Sequence, residues 1–227
     1  MPSGLSFLSF LSSLTSLPSR HPGWPARTAT VTTHAGRVRL RPLGRRDGTR
    51  WAQYRIADEH LLRPVEPTVP GPWSESHTKA VWRANISGLS ALANDGQVMP
   101  FAIEVDGEFA GQLTLGNIQH GVVCSCWIGY WVYSGYSGQG VATAAVALGV
   151  DHAMIHGGIH RVEATVLESN EASRRVLAKI GFREEGRLVR NLHINGQWRD
   201  HLLVGLTTEE VPGGVVSLLG RDRRPGA

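Results

Sequence analysis

The stretch Tyr133-Ser-Gly-Tyr-Ser-Gly-Gln-Gly-Val-Ala-Thr-Ala-Ala145 decides how this chain is read. An apolar and aromatic run, Trp127 to Val132, precedes it and reads as a strand. Behind it, Val141, Ala145, Leu148, His152 and Ile155 recur at helical spacing. A strand therefore passes through a glycine-rich turn into a helix N-terminus. Such a turn aims backbone N–H groups at one point, and the helix dipole adds attraction for negative charge. The implied ligand is phosphorylated. A Walker loop needs Gly-Lys-Ser/Thr at the turn, and no lysine stands here. Gly138-x-Gly140-x-Ala142 is out of phase with the Gly-x-Gly-x-x-Gly dinucleotide fingerprint.

The downstream sequence narrows the choice. His160 to Val166 alternates like a strand, and Glu168-Ser-Asn-Glu-Ala-Ser-Arg-Arg-Val-Leu-Ala-Lys-Ile-Gly-Phe182 follows. Gly138 to Thr143 resembles the coenzyme A motif of the GNAT family of N-acetyltransferases, Arg/Gln-x-x-Gly-x-Gly/Ala. The family's second signature, Asn-x-x-Ser followed by spaced apolar residues and Gly-Phe, is carried by Asn170, Ser173, Val176, Leu177, Ile180, Gly181 and Phe182. Asn195-Gly-Gln-Trp-Arg-Asp-His201 is similar to the RimJ/RimL-type enzymes, which acetylate ribosomal-protein N-termini. The resemblance covers residues 36 to 208.

It implies an α+β fold: a central mixed, mostly antiparallel twisted sheet, flanked by helices, with a splayed strand pair for coenzyme A. It also implies acetyl-CoA as cosubstrate without a metal, and a protein N-terminal α-amine, that of a ribosomal protein, as acceptor. A small-molecule amine, a longer acyl-CoA donor, or a non-catalytic acyl-CoA-binding module are the alternatives.

Site residues follow from the same resemblance. Backbone of Tyr130, Trp131 and Val132 should pair with pantetheine, and the Val132 N–H is the candidate oxyanion donor. Gly138, Gln139, Gly140, Val141, Ala142 and Thr143 should hold the pyrophosphate. Asn170 either contacts pantetheine or caps the helix behind it. Ser173 either reaches the coenzyme or is a solvated helix hydroxyl, and Arg174 and Arg175 either approach the adenosine phosphates or form an exposed face. Two family features are missing: Ser137 stands where Arg or Gln is usual, and Leu177 where several members carry a tyrosine that protonates the thiolate. Ser169 is the candidate in that role, or a capping hydroxyl. Glu104 and Glu163 are candidate bases on strands, or equally surface charges or members of structural ion pairs. Trp51, Trp73, Trp82 and Trp198 are either acceptor-slot walls or packing residues, while Asp200, His193 and His201 read as structural.

The chain has 227 residues and a net charge of +4, and only Lys79 and Lys179 of its 23 basic residues are lysines. That excess suits an anionic coenzyme or an RNA-rich neighbourhood, and equally a solvated basic surface. Cys124 and Cys126 sit at i and i+2 of an expected strand and read as free thiols in a reducing, cytoplasmic compartment. No run reaches the roughly 18 apolar residues of a membrane span. Leu5 to Leu17 reads as an amphipathic helix docked on the domain or on a second subunit, with a homodimer expected; a disordered extension or a start codon called too early is the alternative.

The expected organisation is an extension over 1–35, one domain over 36–208 and a tail over 209–227. Within it, 20–33 reads as a linker, 37–42 as the first strand, and Asp47 as the cap of a helix over 48–60. Ser74 or Ser76 opens a long helix to Ala93. A strand over 122–132 precedes the motif helix. Asp106-Gly107 and Asn195-Gly196 are two-residue hairpin turns.

Overall fold

The computed structural model describes residues 21–221. Eight strands form one sheet: β1 (Val31–Thr33), β2 (Gly36–Pro42), β3 (Met99–Val105), β4 (Glu108–Gln119), β5 (Ser125–Val132), β6 (Arg161–Val166), β7 (Arg183–Ile194) and β8 (Gln197–Thr207). Their spatial order is β1-β2-β3-β4-β5-β6-β8-β7. Every neighbouring pair is antiparallel except β5 and β6, which run parallel. The crossover between those two strands is the motif helix α5 (Val141–Asp151), as a parallel connection requires. Both dipeptide turns form with the positive φ that their residues tolerate: Asp106 and Gly107 at 46° and 96°, Asn195 and Gly196 at 43° and 84°.

Helices cover both faces of the sheet. On one, α5 buries Val141, Ala145, Val146 and Leu148 against Leu40, Phe101, Leu113 and Ile128. Helix α6 (Glu171–Ile180) adds Leu177 and Ile180 to the same core. On the other face, α1 (Gly48–Ala57) and α4 (Lys79–Asn94) pack Trp51, Ala52, Trp82 and Ile86 against Ala102 and Phe109. Two short helices, α2 (Glu59–Leu62) and α3 (Trp73–Ser76), connect them.

Several expectations need correction. Asp47 does not cap α1; its carboxylate accepts from Gly44 N at 2.8 Å and from the buried Arg41 guanidinium. The expected helix over 48–60 breaks at Asp58 into α1 and α2. The long helix is capped by Thr78, whose hydroxyl accepts from Val81 N, and not by Ser74 or Ser76, which lie in α3. Cys124 precedes β5 with φ of +45°, so it does not share a strand face with the buried Cys126. The tail contains a seventh helix, α7 (Val215–Arg221), held by the Asp151 carboxylate, which accepts from Val215 N at 2.5 Å and Val216 N at 3.0 Å. The expected helix over 5–17 lies outside the described residues. No helix among the described residues is long and apolar enough to cross a membrane.

Residues 21–25, read as linker, are packed. The Trp24 ring meets Phe101 edge-on at 5.1 Å. Gly23 O accepts from His152 Nε2 at 2.8 Å. His21 Nδ1 accepts from Gly23 N at 3.1 Å, so its proton lies on Nε2, which faces His120 Nε2 at 2.9 Å. Burial, then His120 and His152, lower the His21 pKa to about 4. Unfolded histidine binds its proton near pH 6.5, so between the two values only the unfolded chain is protonated there. Stability from this group is complete above pH 6.5 and falls as pH drops toward 4. Urea unfolding at pH 7.5 and pH 5 is expected to differ by about 2 kcal/mol from this histidine alone. Replacing His21 with glutamine should shrink that difference; an unchanged pH dependence would place its origin elsewhere.

Candidate active site

Tyr133 N donates to Ala110 O at 2.9 Å, which fixes the phase of the β4–β5 ladder. Antiparallel hydrogen bonding alternates, so the Trp131 backbone faces Gln112 while Tyr130 and Val132 turn theirs to the opposite edge. On that edge β6 pairs only with Ser125, Cys126 and Trp127. Past Trp127 the two parallel strands separate. The backbone groups of Tyr130 and Val132 therefore line a gap with no strand opposite, a geometry that accepts an extended amide-bearing chain.

The gap leads to the glycine turn. Gly138 and Gly140 have φ of +73° and +85°, values that side chains disfavour. Gly140 is the N-cap of α5 and offers no side chain to its first-turn amides. The N–H groups of Val141, Ala142 and Thr143 are thus open to an anion, with the dipole of an 11-residue helix behind them. Gln139 is committed locally, its side-chain amide donating to Gly135 O at 2.9 Å.

Across the gap stands the N-terminus of α6. Asn170 Oδ1 accepts from Ser173 N at 3.1 Å, so the capping role is present, and its NH2 group remains available. Asn170→Ala is expected to cost about 1 kcal/mol of folding stability through the lost cap, and to weaken coenzyme A binding as well. Paired thermal melts and calorimetric titrations separate the two effects: earlier melting with unchanged affinity would leave the cap as the whole role.

The sequence reading missed one pairing. The Tyr130 side chain reaches from β5 to α6, where its hydroxyl lies 3.0 Å from Ser173 Oγ. Burial pushes the Tyr130 pKa up to about 12, against the Ser173 hydrogen bond, so the phenol stays protonated at neutral pH. Apolar patterning explained Tyr130 as a core residue and gave no hint of this partner, 43 positions away. Ser169 sits in the exposed turn before Asn170. Arg174 and Arg175 are exposed; Arg174 donates to Glu168 O, and Arg175 pairs with Glu171 along the helix.

Glu104 lies on β3, separated from β5 by β4, and is buried. Burial opposes its charge, yet hydrogen bonds from Arg41 and Arg39 hold the carboxyl below its ordinary range. Arg41 Nε donates to Glu104 Oε2 at 2.6 Å, and its two terminal nitrogens fork onto Asp47 at 2.8 and 2.7 Å. Of the readings open for Glu104, this geometry supports the ion pair. Glu163 is likewise bound by Arg161.

The other face of β5 presents Trp131. The Arg55 guanidinium lies 5.2 Å from its ring centroid, with Trp51 and Trp73 at 5.8 and 5.2 Å. Arg55 also grips Glu66, in the loop after α2. That loop closes on the β7–β8 hairpin: Thr68 N donates to His193 O at 2.8 Å, and Gly196 N to Thr68 Oγ1 at 2.9 Å. Trp51, Trp73 and Trp82 are buried packing residues, whereas Trp198 stands exposed beside His193 on the hairpin. Asp200 orders the same hairpin by accepting from Arg190 N and Arg187. His201 is buried.

Residues 37–183 match the family model for the acetyltransferase (GNAT) domain. The chain belongs to the GNAT acetyltransferases. It is therefore an acetyl-CoA-dependent acyltransferase, and the gap and amide turn are the features of its fold that suit such a coenzyme. This GNAT chain superposes with a TM-score of 0.87 on RimJ of Mycobacterium smegmatis in complex with CoA-disulfide, at 49% identity, covering 89% of this chain and 98% of that one. It is 29% identical to the ribosomal protein uS5-alanine N-acetyltransferase of Escherichia coli (strain K12), over 84% of this chain and 98% of the relative. A putative ribosomal N-acetyltransferase, YdaF of Bacillus subtilis (strain 168), is 33% identical over 82% of this chain and 98% of its own length.

Proposed function

We propose that this protein transfers the acetyl group of acetyl-CoA to the α-amine of a protein N-terminus, with a ribosomal protein as acceptor, by direct attack in a ternary complex. The observation that carries the acceptor class is the likeness, over nearly their whole lengths, to the uS5-alanine N-acetyltransferase and to RimJ. Acetyl-CoA supplies an activated thioester. The chain's own residues must orient it, receive an uncharged amine, and stabilise charge on the carbonyl oxygen and the departing sulfur.

Each task has a candidate. The backbone edge of Tyr130 and Val132 binds pantetheine, and the amides of Gly138 to Thr143 hold the pyrophosphate. Val132 N–H, free of β4, is the donor for the carbonyl oxygen. The protonated Tyr130–Ser173 hydroxyl pair, bridging β5 and α6, is our candidate, ahead of Ser169, to donate to the leaving thiolate. Neither Glu104 nor Glu163 is a free base in this arrangement. An α-amine makes the weakest demand for one. With a pKa of about 7.7–8.0, roughly a quarter is neutral near pH 7.4, against about 0.1% for a lysine side chain.

The Glu66 loop and the β7–β8 hairpin, joined over the Trp131 side, form the acceptor end. A panel of peptides with free α-amines, the same peptides with blocked α-amines, and polyamines tests the reading. Acetylation confined to free α-amines is expected. Turnover of polyamines alone would reassign the acceptor, and coenzyme binding without turnover would leave a binding module.

A further inference from the structure

Helix α1 and the residue just past it grip the end of β5 and the segment after it at three places. Arg55 lies under the Trp131 ring. The Tyr54 ring stacks on Tyr133 with centroids 3.9 Å apart and planes 6° apart. Asp58, just past α1, accepts from Ser134 N and from Ser134 Oγ, both at 2.7 Å. The chain must travel only from Val132 to Gly138 between the backbone edge and the amide turn, and Ser134 sits inside that stretch.

Asp58 is placed unusually for this task. It occupies the N-cap position of α2, where a carboxylate ordinarily accepts from its own helix's first-turn amides. Its side chain makes no such bond. Both oxygens are instead turned away, to a serine 76 positions downstream. The carboxylate is buried, so these bonds form out of competition with water and are charge-assisted. At the α1–α2 junction backbone bonds stand in for such a cap, Leu61 N and Leu62 N both reaching Asp58 O at 2.9 Å.

We propose that Asp58 is a positioning residue for coenzyme binding, fixing Ser134 and with it the spacing between the Val132 edge and the 138–143 amide cradle. This rests on the coenzyme reading given above. Asp58 acts through Ser134 and does not touch the coenzyme. Tyr54 and Arg55 hold the flanking residues 133 and 131 by ring contacts that fix the segment's height over α1. Of the three, Asp58 is the one that holds the backbone itself, through the Ser134 amide.

Coenzyme A titration by calorimetry, together with the acetyl-CoA KM in peptide turnover, tests the proposal on the full chain. Asp58→Ala is expected to weaken coenzyme A binding about tenfold or more and to raise the acetyl-CoA KM in step. The KM for the peptide should change less than the acetyl-CoA KM, because the lost bonds run to Ser134 and the Arg55 contacts with Trp131 and Glu66 remain. Asp58→Asn keeps one acceptor oxygen and should fall between. Ser134→Ala keeps the amide bond and should be milder than Asp58→Ala. The double variant Asp58→Ala/Ser134→Ala should bind no worse than Asp58→Ala, since both remove one link. Thermal melts of each variant identify loss of fold. If Asp58→Ala is too unstable to assay, Asp58→Asn and Ser134→Ala carry the test. Folded variants with normal coenzyme affinity would overturn the proposal, whatever their melting temperatures. Wild-type protein that fails to bind coenzyme A would overturn the coenzyme reading instead, so the two failures are distinct.

Discussion

Arg41→Ala is expected to destabilise the fold by about 3–5 kcal/mol, the cost of removing one partner from a buried ion pair. Arg41 is buried on β2 and is the shared cation of Asp47 and Glu104, both also buried. Without it, among the described residues, Asp47 keeps only the Gly44 amide and Glu104 only the half-exposed Arg39. Domains of this size hold roughly 5–15 kcal/mol in total, so the variant should unfold at much lower urea. Arg41→Lys should recover only part, because an ammonium cannot fork onto one carboxylate while reaching the other. A shift below about 1 kcal/mol for Arg41→Ala would mean that water reaches the cluster and replaces the guanidinium.

Gly140→Val should weaken coenzyme A binding on the order of 100-fold. A φ of +85° is disfavoured for any residue with a Cβ by about 1–2 kcal/mol, so the turn relaxes toward negative φ. That rotation takes the cradle amides off their common aim, and hydrogen bonds to a charged group are worth about 1.5–3 kcal/mol each. Among the described residues a Cβ at Gly140 would meet only Thr33, at 3.7 Å, so the variant should still fold. Calorimetry showing wild-type affinity in a folded variant would move the phosphate site away from this turn.

These two residues mark what sequence can and cannot disclose. Gly140 was readable because its role is local: a positive φ, a helix start and a missing side chain are all encoded within a few positions. The hairpin turns at Asp106-Gly107 and Asn195-Gly196 were readable for the same reason. Arg41 was not. In Arg37-Val-Arg-Leu-Arg the alternation correctly puts Val38 and Leu40 on a core face, but it leaves the arginines to solvent. Helices α1 and α4 cover that second face, and Arg41 meets a carboxylate 63 positions away. Asp58 and Ser134, separated by 76, and Asp151 and Val215, separated by 64, were hidden for the same reason. An exposed-looking carboxylate carries no mark of the distant amide that it holds. The coenzyme half of the site is mostly backbone and helix end, so its motif survives in sequence. The acceptor half is built from loops meeting across the fold, Thr68 against His193 and Gly196, and has no contiguous signature.

The most direct test is intact-mass analysis after incubation of purified protein with acetyl-CoA and a peptide bearing the free N-terminus of a ribosomal protein. One acetyl group should be added per peptide, at the α-amine, and none to the same peptide with its α-amine blocked but its lysines free. Acetylation of the blocked peptide's lysines, or no acetylation of either peptide while coenzyme A binds, would contradict transfer to a protein N-terminus.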